Sequence, residues 1–123
     1  MAGFAPLKQL AATVPGETIV LPGSASSVPG SEISLLTLPF VSGKLATLYS
    51  VTINNRFDGI FKVYNGAQLI GGGYTYASDQ NPSFSWASGL PIGSSDVVVT
   101  FSASSWVPVT DVTAYLEYTL QSI

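Results

Sequence analysis

Lys44-Leu45-Ala46-Thr47-Leu48-Tyr49-Ser50-Val51-Thr52-Ile53-Asn54 alternates along nearly its whole length. Leu45, Tyr49, Val51 and Ile53 share one parity, and Ala46, Ser50 and Thr52 share the other. Leu48 is the single residue out of step. A period of two, carried by β-branched and aromatic residues, is the pattern of a half-buried strand. The same alternation returns at Val97-Val99-Phe101 against Val98-Thr100-Ser102. It returns again at Val112-Ala114-Leu116-Tyr118-Leu120 against Thr113-Tyr115-Glu117-Thr119.

Shorter strand-like runs fill the chain between these three. They are 17–21, 32–38, 59–64, 68–76 and 83–86, each bounded by Pro, Gly or Asn. Asn65-Gly66 separates two of them and predicts a hairpin with a type I′ turn, which needs positive φ at both central residues. Helical periodicity is nearly absent, because Pro15-Gly16 ends the one short candidate, 8–14, at once. Strand runs with turns every 8–12 residues or so predict an all-β domain, an antiparallel sandwich of about eight strands. A jelly roll suits eight strands, and an immunoglobulin-like sandwich is the alternative. At 123 residues the chain fits one such domain.

The first thirty residues differ in character. Val14-Pro15-Gly16, Leu21-Pro22-Gly23 and Val28-Pro29-Gly30 repeat an apolar-Pro-Gly unit every seven residues. Pro fixes φ at the second turn position and Gly accepts positive φ at the third, so each unit suits a type II turn. The expectation is an extended arm over 1–31 with one short strand, followed by the sandwich over 32–123. Phe4, Leu7, Val14, Leu21 and Val28 are the arm's candidates for assembly contacts.

The catalytic inventory is thin. The chain has no histidine and no cysteine, which removes the usual general base and the thiol nucleophile. The carboxylates Glu17, Glu32, Asp58, Asp79, Asp96, Asp111 and Glu117 fall mostly at strand ends and turns, where such residues cap loops and blunt edges. Asp79-Gln80-Asn81 offers oxygen ligands but no spaced ladder with a bidentate Glu, and an Asx-type turn into Pro82 accounts for it. Gly71-Gly72-Gly73 lacks the lysine, the hydroxyl and the following helix of a phosphate loop, so it reads as a bulge or a close backbone approach. No enzyme activity and no cofactor or metal is expected.

Composition then bounds the partners. Charged residues are 9% of the chain and hydrophobic ones 46%, with a net charge of −3. The four cations, Lys8, Lys44, Arg56 and Lys62, are scattered, which makes a poor nucleic-acid binder. No run approaches the ~20 apolar residues of a membrane helix, and the N-terminus lacks the pattern of a secretory signal, so a soluble, cytoplasmically made protein is expected. A weakly charged, apolar-rich surface suits a subunit of a permanent assembly. Tyr74, Tyr76, Trp86 and Trp106 are candidate exposed aromatics, serving as core, as interface anchors or as a stacking platform for sugar rings.

The run Phe57-Asp58-Gly59-Ile60-Phe61-Lys62-Val63-Tyr64-Asn65-Gly66 into Gln68-Leu69-Ile70, with the strands 96–101 and 112–120, resembles small virion proteins of tailed bacteriophages. Within that group it is most similar to head decoration (cement) proteins. The resemblance implies a homo-oligomer, with a trimer favoured, that docks on the outside of an icosahedral shell. There it would bind the major capsid protein and reinforce capsomer junctions. It carries over no functional residue. A carbohydrate-binding module and a tail or fibre component are the alternatives.

Overall fold

A computed structural model describes residues 17–27, 32–54, 58–75, 82–103 and 109–122, and every regular element among them is a strand. There are eight: β1 (Thr18–Ser27), β2 (Glu32–Leu38), β3 (Lys44–Asn54), β4 (Gly59–Asn65), β5 (Gln68–Thr75), β6 (Ser83–Ile92), β7 (Val97–Ala103) and β8 (Val109–Ser122). Phe4, Leu7, Val14, Val28, Tyr76, Asp79 and Trp106 lie outside the described residues.

The pairing follows one rule. β4 pairs with β5, β3 with β6, β2 with β7 and β1 with β8, all antiparallel. The chain is thus one long hairpin, folded double at the β4–β5 turn. The doubled ribbon is then rolled, so that β8 also pairs with β3, and β7 with β4. Two four-stranded sheets result, ordered β1-β8-β3-β6 and β2-β7-β4-β5. This is the eight-stranded jelly roll. An immunoglobulin-like sandwich keeps its first two strands in one sheet. Here β1 and β2 lie in opposite sheets, as do all consecutive strands except β4 and β5.

The rolled ribbon must curve, and its irregularities do the curving. The register of β3 shifts between Leu48 and Ser50 against both β6 and β8. That bulge explains the broken alternation in 44–54. Ala46 and Leu48 face the core before it, Val51 and Ile53 after it, and Tyr49 is left on the surface. A second bulge between Ser34 and Leu36 lets the adjacent Leu35 and Leu36 both be buried. On β6 the ladder breaks between Ser85 and Leu90, which extends this strand to Ile92, well past the expected 83–86.

Two turn expectations are corrected. The central residues of the β4–β5 turn are Gly66 and Ala67, because Asn65 still pairs with Gln68. Gly66 has φ 63, and Ser95 is the only non-glycine with positive φ among the described residues. That is the pattern of a type II′ turn, one residue later than the type I′ turn expected at Asn65-Gly66. Asn65 instead anchors the tip: its Nδ2 donates to the carbonyl oxygens of Ser94 (2.7 Å) and Ser95 (3.1 Å). The second correction is at Leu21-Pro22-Gly23, which makes no turn. β1 runs straight through it, with Pro22 opposite Tyr115 and Gly23 opposite Ala114. An edge strand tolerates Pro, whose missing N–H need not face the ladder. A Cβ on Gly23 would overlap the Leu35 carbonyl oxygen and the Leu36 Cβ. The glycine is needed for the close approach of β1 to β2, which shuts that side of the sandwich.

The opposite side is shut by aromatics. Phe84 and Trp86 meet edge-on with ring centroids 5.1 Å apart, over Gly71 of β5. Trp86 Nε1 donates to the Ile70 carbonyl oxygen at 3.1 Å. Between the two seams, Phe61 and Phe101 sit opposite each other on β4 and β7, fully buried among Leu48, Val51, Val63, Val99 and Leu116.

Candidate functional site

Among the described residues the space between the sheets is narrow at one end of the sandwich. At the end near the β2–β3 loop, between Phe40, Ile92 and Leu120, the gap between the sheets is about 20 Å³. That is little more than a single water requires.

Glu32, Glu117 and Asp96 are each held in hydrogen bonds at separate places on the sandwich. Glu32 lies on the outer face of the β2-β7-β4-β5 sheet and accepts hydrogen bonds from Thr100 Oγ1 and from Tyr64 Oη (3.3 Å). Glu117 lies on the outer face of the other sheet and accepts from Ser50 Oγ at 3.1 Å. Asp96 sits at the loop end, where its Oδ1 accepts from the Phe40 backbone N–H at 2.8 Å. Each serves a local structural bond. Among the described residues there is no group of three His, Cys, Asp or Glu placed to hold a metal ion.

The outer face of β1-β8-β3-β6 is largely hydroxyl. Register places Thr18, Thr119, Thr47 and Pro91 in one row, and Val20, Glu117, Ser50 and Ser85 in the next. Pro22, Tyr115, Thr52 and Ser83 form a third. Val20 is 54% exposed and Tyr115 39%, and they flank Glu117. The result is a broad neutral face with one small apolar patch beside one carboxylate.

The outer face of β2-β7-β4-β5 is different. Ile60 stands opposite Tyr74, Lys62 opposite Gly72, and Tyr64 opposite Leu69. Beside this strand pair lies a shallow, open groove of about 350 Å³, lined by Ile60, Leu69 and Tyr74, with Lys62 also in its lining. Leu69 and Tyr74 are 56% and 64% exposed. The Gly71–Gly73 run thus does what a glycine run in a strand does: Gly71 admits the Phe84 and Trp86 rings on the inner side, and Gly72, at φ 152, lets β5 approach the Phe61–Lys62 backbone of β4, which a Cβ would overlap.

The predicted site residues scatter. Leu21 faces inward from β1 and packs against the core, opposite Leu116. Trp86 is half-buried in the β5–β6 seam. Tyr74 is the one described candidate that stands out on the surface, at the groove. Ile60, Leu69, Val20 and Tyr115 were not singled out from the sequence. The available signal for Ile60, Val20 and Tyr115 was parity, since each is an apolar residue on the outward parity of its strand; Leu69 is turned outward by the register shift between Val63 and Tyr64.

Fold and surface together define an all-β jelly-roll domain with two chemically different outer sheet faces. No family model matches the sequence, and no curated protein does. Among solved structures the chain is similar to one from the virus-like particle of the extra small virus (XSV) of the giant freshwater prawn Macrobrachium rosenbergii. That alignment has 12% identity and a TM-score of 0.46, and covers 98% of this chain and 89% of that one. It is also similar to a chain of the T13 IBDV viral particle, at 14% identity and a TM-score of 0.23, over 98% of this chain and 30% of that one. The jelly-roll assignment stands on the strand order itself.

Proposed function

We propose that this chain is a structural subunit of a virus particle, docking on the outside of an icosahedral shell and reinforcing the junctions between capsomers. The observation that carries this reading is the pair of outer faces. They are neutral over most of their area, and each bears a patch of large apolar side chains that a solitary domain gains nothing by exposing. A jelly roll is one of the frames on which shell proteins are built, and it leaves two flat faces free for packing. Fold alone does not assign the role. The major capsid protein is the expected partner, and a trimer the expected oligomer. The arm residues Phe4, Leu7, Val14 and Val28 belong to this reading as further contacts.

The purified protein should sediment with particles stripped of it and then label with antibody on their outer surface. Failure to bind, with the protein folded and the particles intact, would remove the decoration role. Tyr74 favours a second reading, since an exposed ring beside a groove of about 350 Å³ suits a stacked sugar. Quenching or shifting of intrinsic fluorescence by polysaccharide, lost in Tyr74→Ala, would support that reading instead.

A further inference from the structure

The two outer faces complement each other. One carries an exposed apolar patch, Val20 and Tyr115, beside the negative charge of Glu117. The other carries an apolar groove, walled by Ile60, Leu69 and Tyr74, beside the positive charge of Lys62. Glu32, on the groove face, is already engaged by the hydroxyls of Thr100 and Tyr64. Glu117 is bonded to Ser50, and a carboxylate has lone pairs for further donors.

We propose that copies of this chain associate head to tail, the Val20–Tyr115 patch of one copy seated in the Ile60–Leu69–Tyr74 groove of the next, with Glu117 against Lys62. The proposal rests on the assembly reading and names its partner as a second copy. The patch and the groove lie on opposite sheets, so the contact is heterologous: it closes into a ring if the rotation between neighbours allows, and otherwise grows as a stack. Apolar burial supplies the attraction. The charge pair sets register, because like charges brought together there are repelled.

Charge reversal tests it on the full chain. Molar mass would be measured by light scattering across a dilution series for the wild type, Lys62→Glu, Glu117→Lys and the double variant, with circular dichroism to show that each folds. Each single reversal should weaken self-association at least tenfold, and the double variant should recover it to within about threefold of wild type. Should a reversal fail to fold, Lys62→Gln and Glu117→Gln take its place, each weakening association and abolishing its salt dependence. A wild-type oligomer indifferent to both single changes overturns this interface and leaves the assembly reading standing. Weakening by Lys62→Glu alone, with Glu117→Lys silent, overturns the pairing of the two faces. A wild type that is monomeric throughout overturns this interface and also the expected homo-oligomer.

Discussion

Tyr118 is almost fully buried on the inner face of β8, and that burial pushes its phenol above the ordinary value of 10.0. The folded chain therefore holds this proton more tightly than the unfolded chain does. The contribution is fully present below pH 10 and is lost as pH rises through the raised folded value. In thermal melts from about pH 9 upward, the wild type should lose stability faster than Tyr118→Phe, which has nothing to ionise. Parallel curves would contradict the assignment. Gly23 is the second residue with a sharp prediction. Any Cβ there meets the backbone and Cβ of Leu35 and Leu36, which cannot swing aside. Gly23→Ala should cost about 1–3 kcal/mol in urea denaturation, the usual penalty for overpacking. At this scale the sequence was legible in part. The Pro-Gly pair was visible, but it signalled a turn. What Gly23 serves is a close approach between β1 and β2 across the two sheets, and local turn statistics carry no information about that.

At the scale of elements, period-two alternation located strands well wherever one face met the core and the other met water. It faltered at bulges. Leu48, out of step in 44–54, marks the shift that turns Tyr49 outward, and the adjacent Leu35 and Leu36 mark another. The hairpin was found one residue early because Asn65 is held by the β6–β7 loop carbonyls, which the local sequence does not show. The β5–β6 seam rests on one indole bond and one aromatic pair. Trp86→Phe should remove about 0.5–1.5 kcal/mol, the net worth of the lost hydrogen bond. It should speed amide exchange in β5 while leaving the β2–β7 ladder unchanged. Equal acceleration in both would mean that the seam is not a local lock.

The whole molecule is a doubled ribbon rolled into two sheets, and this is the level the sequence carried least. Eight strands with their approximate places are compatible with more than one sandwich. Only the long-range pairing of β1 with β8 and β2 with β7 separates them. The groove was hidden for the same reason. It exists because register sets Ile60 against Tyr74 and Tyr64 against Leu69 around Gly72, residues unremarkable one at a time. Scarcity of charge, in contrast, was evident from composition, and in the fold it leaves two broad outer faces with few charged side chains. The central claim is that these faces are made to be covered. The molar mass of the purified protein in solution tests this most directly. A stable multiple of 12.8 kDa, persisting on dilution to about 1 μM, is the expected result. A mass of 12.8 kDa at every concentration, with the protein folded, would contradict it.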